Sequence, residues 1–222
     1  MLVDFFFDPA CPWCWITSRW LTEVAPQRAL ELRFRPFSLL EKNRADLREE
    51  FREALTWSHG LLRLATAVEE RHGRGSVADL YTAAGARIHH DGERGFATAP
   101  LLAELRLDAD LAAAVDDESR DAIIRAAMDE GLALAGGDVG VPLIAFEGRV
   151  AYFGPIMSPA PTGDAALRLW DGLSTLATAP GFFELKKTRE VGPILGERPR
   201  VAAAEEVELP GRSRRRVRAR RG

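Results

Sequence analysis

CPWC, residues 11–14, sits inside LVDFFFDPACPWCWITSRWLTEVAP (residues 2–26) and holds both cysteines of a 222-residue chain. LVDFFFD (residues 2–8) is short, apolar and aromatic, and reads as a buried strand that Pro9 ends. After the cysteines, Ile16, Trp20 and Val24 recur at i, i+4 and i+8, which is one face of a helix. Pro12 suits the first helical position, where its missing N–H would be unpaired anyway. Pro26 biases Ala25 away from helix, so the helix should stop about there. Cys11 then falls at or beside the N-cap, with Cys14 one turn in.

That placement has chemical consequences. The thiolate, not the thiol, is the nucleophile. A helix N-terminus presents unpaired N–H groups and the positive end of the dipole, and both favour an anion. Cys11 is therefore read as the attacking thiol. Cys14, one turn in, should be more buried and protonated, and it lies within reach to resolve a mixed disulfide formed at Cys11. Pro12 stiffens the turn, and Trp13 either covers the sulfur or offers a flat face to a substrate.

Three readings of the pair compete. C-x-x-C after a strand and opening a helix is a redox motif in thioredoxin-like folds. A zinc half-site would need two more ligands, and His59, His72, His89 and His90 offer no pair at zinc spacing, so no metal is expected. Inert core cysteines are the third reading. His89 and His90 follow Ile88 at an expected helix end, where capping, a pocket role and plain structural duty all fit.

Outward from the motif, LELRF (residues 30–34) alternates as a second strand. From about Asp46 to Ala135 the pattern is helical, with breaks at HGRGS (72–76), HHDGERG (89–95) and around Pro100, giving four or five helices. GGDVG (136–140) lacks the preceding strand and the spacing of a dinucleotide fingerprint. VPLIAFEGRVAYFG (141–154) reads as strand, two-residue turn at Glu147-Gly148, strand. Ala166, Leu169, Trp170, Leu173 and Leu176 then share one helical face. Pro142 opens a strand, where it costs no ladder bond. In thioredoxin-like folds a cis-proline loop at this place faces the C-x-x-C pair, so Val141–Pro142 is expected to be cis. The order is β-α-β, a helical block, then β-β-α.

With 46% hydrophobic residues the chain can bury a core, and with 28% charged residues it should be soluble. A net charge of −3 argues against nucleic-acid binding by the body. No apolar run approaches the ~20 residues of a membrane span, and the N-terminus lacks a signal-peptide pattern. The chain is read as cytoplasmic, a reducing compartment where two thiols are redox-active or metal-binding rather than a staple. Beyond about residue 197 apolar periodicity vanishes, and seven arginines crowd residues 212–221. This stretch is expected to be a disordered basic tail.

These residues carry a family likeness. The chain resembles the DsbA-related thioredoxin-fold oxidoreductases with a helical insertion, and within them the mycothiol-dependent nitroreductases. The likeness lies in FDPACPWCWITSRWLTEVA (7–25), DVGVPLIAFEGRVAYFGPIMSPAPTGDAALRLWD (138–171), FFELKKTR (182–189) and LYTAAGARIH (80–89). It spans about residues 3 to 190. The resemblance implies that Cys11 attacks, Cys14 resolves, Trp13 walls the substrate pocket and Val141-Pro142 forms the cis-proline loop. It also implies pocket residues from LLEKNRADLREEF (39–51), where the family's Asn and Tyr align with Glu41 and Phe51. A carboxylate for an amide, and a lost phenol hydroxyl, would change polarity and hydrogen bonding there.

The expected fold is α/β: a thioredoxin-like core (1–40 and 136–190), an all-helical inserted subdomain (41–135) and a C-terminal extension (191–222). The expected function is thiol–disulfide oxidoreduction by the CPWC dithiol on small nitroaromatic-type electrophiles or disulfides. Mycothiol would serve as cosubstrate, with no bound cofactor. Trp13, Trp15 and Phe51 are the apolar walls expected of the pocket. A protein-disulfide oxidoreductase or isomerase, and a non-enzymatic binding or chaperone-like module, are the rival functions. A homodimer and a weak, salt-dependent nucleic-acid contact through the arginine tail stay open as partnerships.

Overall fold

The computed structural model describes residues 1–200; the arginine-rich stretch, with the expectations attached to it, lies outside the described residues. Four strands form one sheet in the order β2-β1-β3-β4. β1 (Leu2–Phe7) runs parallel to β2 (Glu31–Pro36) and antiparallel to β3 (Leu143–Phe146), which pairs antiparallel with β4 (Val150–Phe153). β1 is central and covered on both faces, which is why its sequence is a nearly unbroken apolar run. Phe5 and Phe7 point to one side and pack edge-on against Phe34 at 5.4 and 5.7 Å. Phe6 points to the other side. There α6 (Asp121–Ala135) approaches so closely that a Cβ on Gly131 would lie 2.9–3.0 Å from Leu143 and Phe6.

α1 (Pro12–Gln27) joins the parallel strands and buries Ile16, Trp20 and Val24, as their spacing predicts. Pro26 is tolerated inside its last turn, so the helix runs one residue past it. Trp20 donates its indole N–H to Ala166 O at 3.0 Å, which fixes α1 against α7 (Gly163–Ala177). On α7, Ala166 and Trp170 are buried while Leu169 is exposed, so the buried stripe is narrower than the apolar one. Glu147 and Gly148 both have positive φ, in the turn closed by Arg149 N–H to Phe146 O.

The block between β2 and β3 holds α2 (Leu39–Lys42), α3 (Glu49–His72), α4 (Arg74–His89), α5 (Thr98–Glu104), two short 3₁₀ turns (Ala109–Asp116 and Glu118–Arg120) and α6. Gly73, at φ 83°, separates α3 from α4. Of these helices α6 lies against one face of the sheet and α4 against the other, through Tyr81 on Phe7 and Phe34 at 4.5 and 5.6 Å; α4 also meets α1, where Trp15 lies over Gly85. Residues 178–200 have no regular secondary structure, yet they are tied to the body at several points described below. No helix of the described residues is long and apolar enough to cross a membrane.

Candidate active site

The turn after β1 sets the dithiol. Cys11 N–H bonds back to Asp8 O at 3.0 Å, and Cys11 then takes an extended conformation (φ −82°, ψ 112°) as the N-cap of α1. Its carbonyl accepts the first helical bond from Trp15 N–H at 3.1 Å, and its sulfur accepts from Cys14 N–H at 3.4 Å. Side-chain N-capping satisfies one of the helix's orphan donors and directs it at the sulfur. Both cysteines are free thiols. Cys11 retains 6% exposure and Cys14 none, so only Cys11 presents an edge to a reactant. Burial, and then the neighbouring Cys11 sulfur, push the Cys14 thiol well up, so Cys14 keeps its proton.

Opposite the motif, the Val141–Pro142 peptide is cis and Val141 O accepts from Cys11 Sγ–H at 3.7 Å. The structure therefore brings Cys11, Cys14 and Val141 together, although 130 residues separate the first from the last. Trp13 is half-buried, and the Arg189 guanidinium lies over its ring at 5.3 Å.

Asp8 was not singled out by its sequence position, but it organises the turn. It is fully buried. One carboxylate oxygen accepts from Ala10 N–H at 2.9 Å and from the Ser58 hydroxyl at 2.5 Å. The other accepts from Leu39 N–H at 2.8 Å. Burial raises the Asp8 pKa despite these bonds. Ser58 is on α3 and Leu39 begins α2, so one carboxylate ties the insertion to the CPWC turn. The available signal was an acid between an apolar strand and the motif; its partners lie too far along the chain to be paired by spacing.

The histidines fall into place around the same turn. His89 donates Nε2–H to Pro9 O at 3.0 Å, and burial lowers its pKa to about 4. His90 Nε2 accepts from the Trp15 indole N–H at 3.2 Å. Trp15 is fully buried against Tyr81 and His89, so it belongs to the core and not to a pocket wall, a correction to the sequence reading. The adjacent indoles part company because α1 turns Trp13 outward and Trp15 toward α4.

Glu41 pairs with Arg44 at 2.8 Å, and Phe51 is 48% exposed with the Arg48 guanidinium 5.2 Å from its ring. Glu41, His59 and Asp121 place ligand-type atoms within 4.8 Å of one another. Arg63 forks onto Asp121 at 2.6 and 2.9 Å and Ser38 bonds His59 at 2.8 Å, so the group is already a neutralised hydrogen-bond network. A cleft of about 930 Å³ opens within the insertion beside Trp57, Phe96 and Val115; neither cysteine nor Trp13 lines it.

Residues 10–187 match the family model of the mycothiol-dependent nitroreductase Rv2466c. The Mycobacterium tuberculosis protein Rv2286c is 33% identical over 198 residues, covering 86% of this chain and 84% of its own. Among solved structures, a probable DsbA oxidoreductase from Streptomyces coelicolor superposes with a TM-score of 0.54 at 19% identity, covering 84% of this chain and 100% of its own. The cytosolic disulfide reductase DsbM from Pseudomonas aeruginosa, solved with GSH, gives 0.53 at 17% identity, covering 79% and 100%. At these identities the structural likeness establishes the DsbA-like thioredoxin fold.

Proposed function

The chain belongs to the Rv2466c-like family of mycothiol-dependent nitroreductases, and from that premise we propose that its CPWC dithiol reduces small disulfides and nitroaromatic-type electrophiles with mycothiol as electron donor. The observation that carries this reading is the asymmetry of the pair. Cys11 caps the helix and faces Val141 O, while Cys14 is buried and protonated.

In this reading the Cys11 thiolate attacks one sulfur of a disulfide; the S–S bond breaks and the other half leaves as a thiolate. Cys14 then releases its proton and attacks Cys11 Sγ. This closes the Cys11–Cys14 disulfide and expels the second thiolate. Two mycothiol molecules restore the dithiol: one forms a mixed disulfide with the enzyme, and the other removes it as mycothiol disulfide. With a nitroaryl substrate the same two electrons, with two protons, convert the nitro group to a nitroso group and water.

Trp13 supplies an aromatic wall, and the Val141-Pro142 backbone pairs with the substrate. Glu41 and Phe51 are assigned to the substrate side because Asp8 tethers their α2–α3 segment to the CPWC turn through Leu39 and Ser58. The core of residues 1–40 and 136–190 carries the thiols, and the helices inserted at 41–135 form the opposing wall, with α6 of the insertion also covering the sheet. Such chemistry fits a reducing, cytoplasmic setting.

The test is mycothiol-dependent turnover together with mass spectrometry of thiol-trapped protein. Wild type should carry one mycothiol on Cys11, enriched in Cys14→Ser, while Cys11→Ser should fall to background in both assays. Undiminished turnover by Cys11→Ser would sink the proposal.

A further inference from the structure

The nine residues 183–191 arch beside the dithiol between two anchors. On one side Tyr152 donates its hydroxyl to Phe182 O at 2.8 Å and packs ring to ring at 5.7 Å. On the other, the Ser158 hydroxyl donates to Gly192 O at 2.7 Å and accepts from Ile194 N–H at 2.8 Å. Within the arch Lys187 pairs with Glu190 at 3.8 Å. Arg189 has no carboxylate partner among the described residues; its contact is the Trp13 ring, 5.3 Å away. An exposed guanidinium is thus held over the aromatic residue that separates the two cysteines, with its N–H fork unpaired.

We propose that Arg189 is a specificity-determining residue, which with Trp13 selects aromatic electrophiles and disulfides bearing a carboxylate or similar anionic group. The inference rests on Cys11 being the nucleophile. Guanidinium is planar, stacks on aromatic rings and offers paired donors that match a carboxylate. An aryl group beside Trp13 would carry its anionic substituent toward that fork while its sulfur faces Cys11. Lys186 and Lys187 on the same arch are balanced by Glu184 and Glu190, so the arch's one net positive charge is that of Arg189.

Three disulfides separate charge from shape: the dianionic bis(nitrobenzoate) disulfide, the neutral aromatic dipyridyl disulfide and the dicationic aliphatic cystamine. The rate at which the reduced full-length protein cleaves each is measured in a single turnover, at low and high salt. Arg189→Ala should slow the dianion about fivefold to tenfold, as expected of a partly exposed charge-assisted contact. The neutral aryl disulfide should stay within about twofold, and cystamine should be unchanged or faster. Arg189→Lys should fall between wild type and alanine with the dianion, because it keeps the charge and loses the fork. The wild-type preference for the dianion should shrink with salt and that of Arg189→Ala should not. Equal slowing of the dianionic and neutral substrates, or no slowing of either, overturns the proposal. Cys11→Ser keeps the two claims apart: if it cleaves all three disulfides at the wild-type rate, the catalytic reading fails, whatever Arg189 does.

Discussion

Cys14 holds its proton because burial and the adjacent Cys11 sulfur both oppose a second thiolate in the same turn. Iodoacetamide at neutral pH should therefore label Cys11 first, by at least about tenfold over Cys14, as peptide mapping of the reduced protein would show. Preferential labelling of Cys14 would reverse the assigned roles. His89 gives a second residue-level expectation. Burial keeps its folded pKa near 4, below the ordinary 6.5, so the unfolded chain takes up the proton first as pH falls. The His89 contribution is whole above about pH 6.5 and is lost between there and about pH 4, with an upper size on the order of 3 kcal/mol. Asp8, whose pKa is raised, has the opposite slope and is the same in both proteins of a comparison. His89→Gln, which can keep a donor to Pro9 O, should flatten the acid limb of the urea midpoint between pH 7.5 and pH 5; parallel curves would refute this assignment. The sequence shows which cysteine caps the helix, because the cap is local. It does not show Asp8 with Ser58 or His89 with Pro9, since 50 and 80 residues separate these partners and no periodicity links them.

Periodicity is strongest where an element buries one face, and there the elements were legible. α1 follows from Ile16, Trp20 and Val24, and the β3–β4 hairpin follows from the turn at Glu147-Gly148. The 3₁₀ segments between α5 and α6 carry no comparable pattern, because together they bury a single i, i+3 pair, Leu111 and Ala114, too little to read as a repeating face. The α1–α4 contact was hidden for another reason: a glycine signals its role only once its neighbour is known. Gly85 lies under Trp15, and an added Cβ would sit 2.3–2.4 Å from the indole ring. Trp15 is pinned by its bond to His90 and by the Arg19 guanidinium 4.3 Å from its ring, so the ring has little freedom to yield. A clash this close lies at or above the top of the usual overpacking range, so Gly85→Ala should cost about 1–3 kcal/mol net of alanine's better helix propensity of about 1 kcal/mol. At roughly 2–4 °C per kcal/mol for a protein of this size, Tm should fall by about 3–10 °C. An unchanged or higher Tm would show that α4 slides away from α1 at no cost. Because Trp15 follows Cys14 directly, the same substitution tests how firmly the insertion holds the dithiol turn.

The C-terminal segment acts at the scale of the whole molecule, for it leaves α7, passes the hairpin and the CPWC turn, and ends on the insertion. Arg198 forks onto Asp91 at 2.9 and 2.8 Å, one residue beyond the His90 that bonds Trp15. Leu195 packs on the core, and Ser158 clasps Gly192 and Ile194. The path of this segment could not be read from the sequence, since it is held by single long-range bonds and not by a repeating face. Two shortened proteins separate its roles. Ending the chain at Arg200 removes the arginine-rich stretch and keeps every contact named above. Ending it at Thr178 removes those contacts together with Arg189. The first should keep mycothiol-dependent turnover, and its Tm should move by no more than about 2 °C, since a sequence so rich in arginine and without apolar periodicity offers little to pack. The second loses the exposed Arg198–Asp91 fork, the Tyr152–Phe182 bond and both bonds of Ser158; the three neutral hydrogen bonds with the partial burial of Leu195 come to the order of 2–4 kcal/mol, which corresponds to a fall of roughly 5–15 °C in Tm. It should still cleave neutral disulfides at a temperature where it stays folded, because Cys11, Cys14 and Val141 are positioned by other elements, while its preference for dianionic aryl disulfides disappears. Loss of turnover at high salt in the protein ending at Arg200 would place the arginine-rich stretch within the active unit. Retention of the dianion preference in the protein ending at Thr178 would take the segment out of substrate selection altogether.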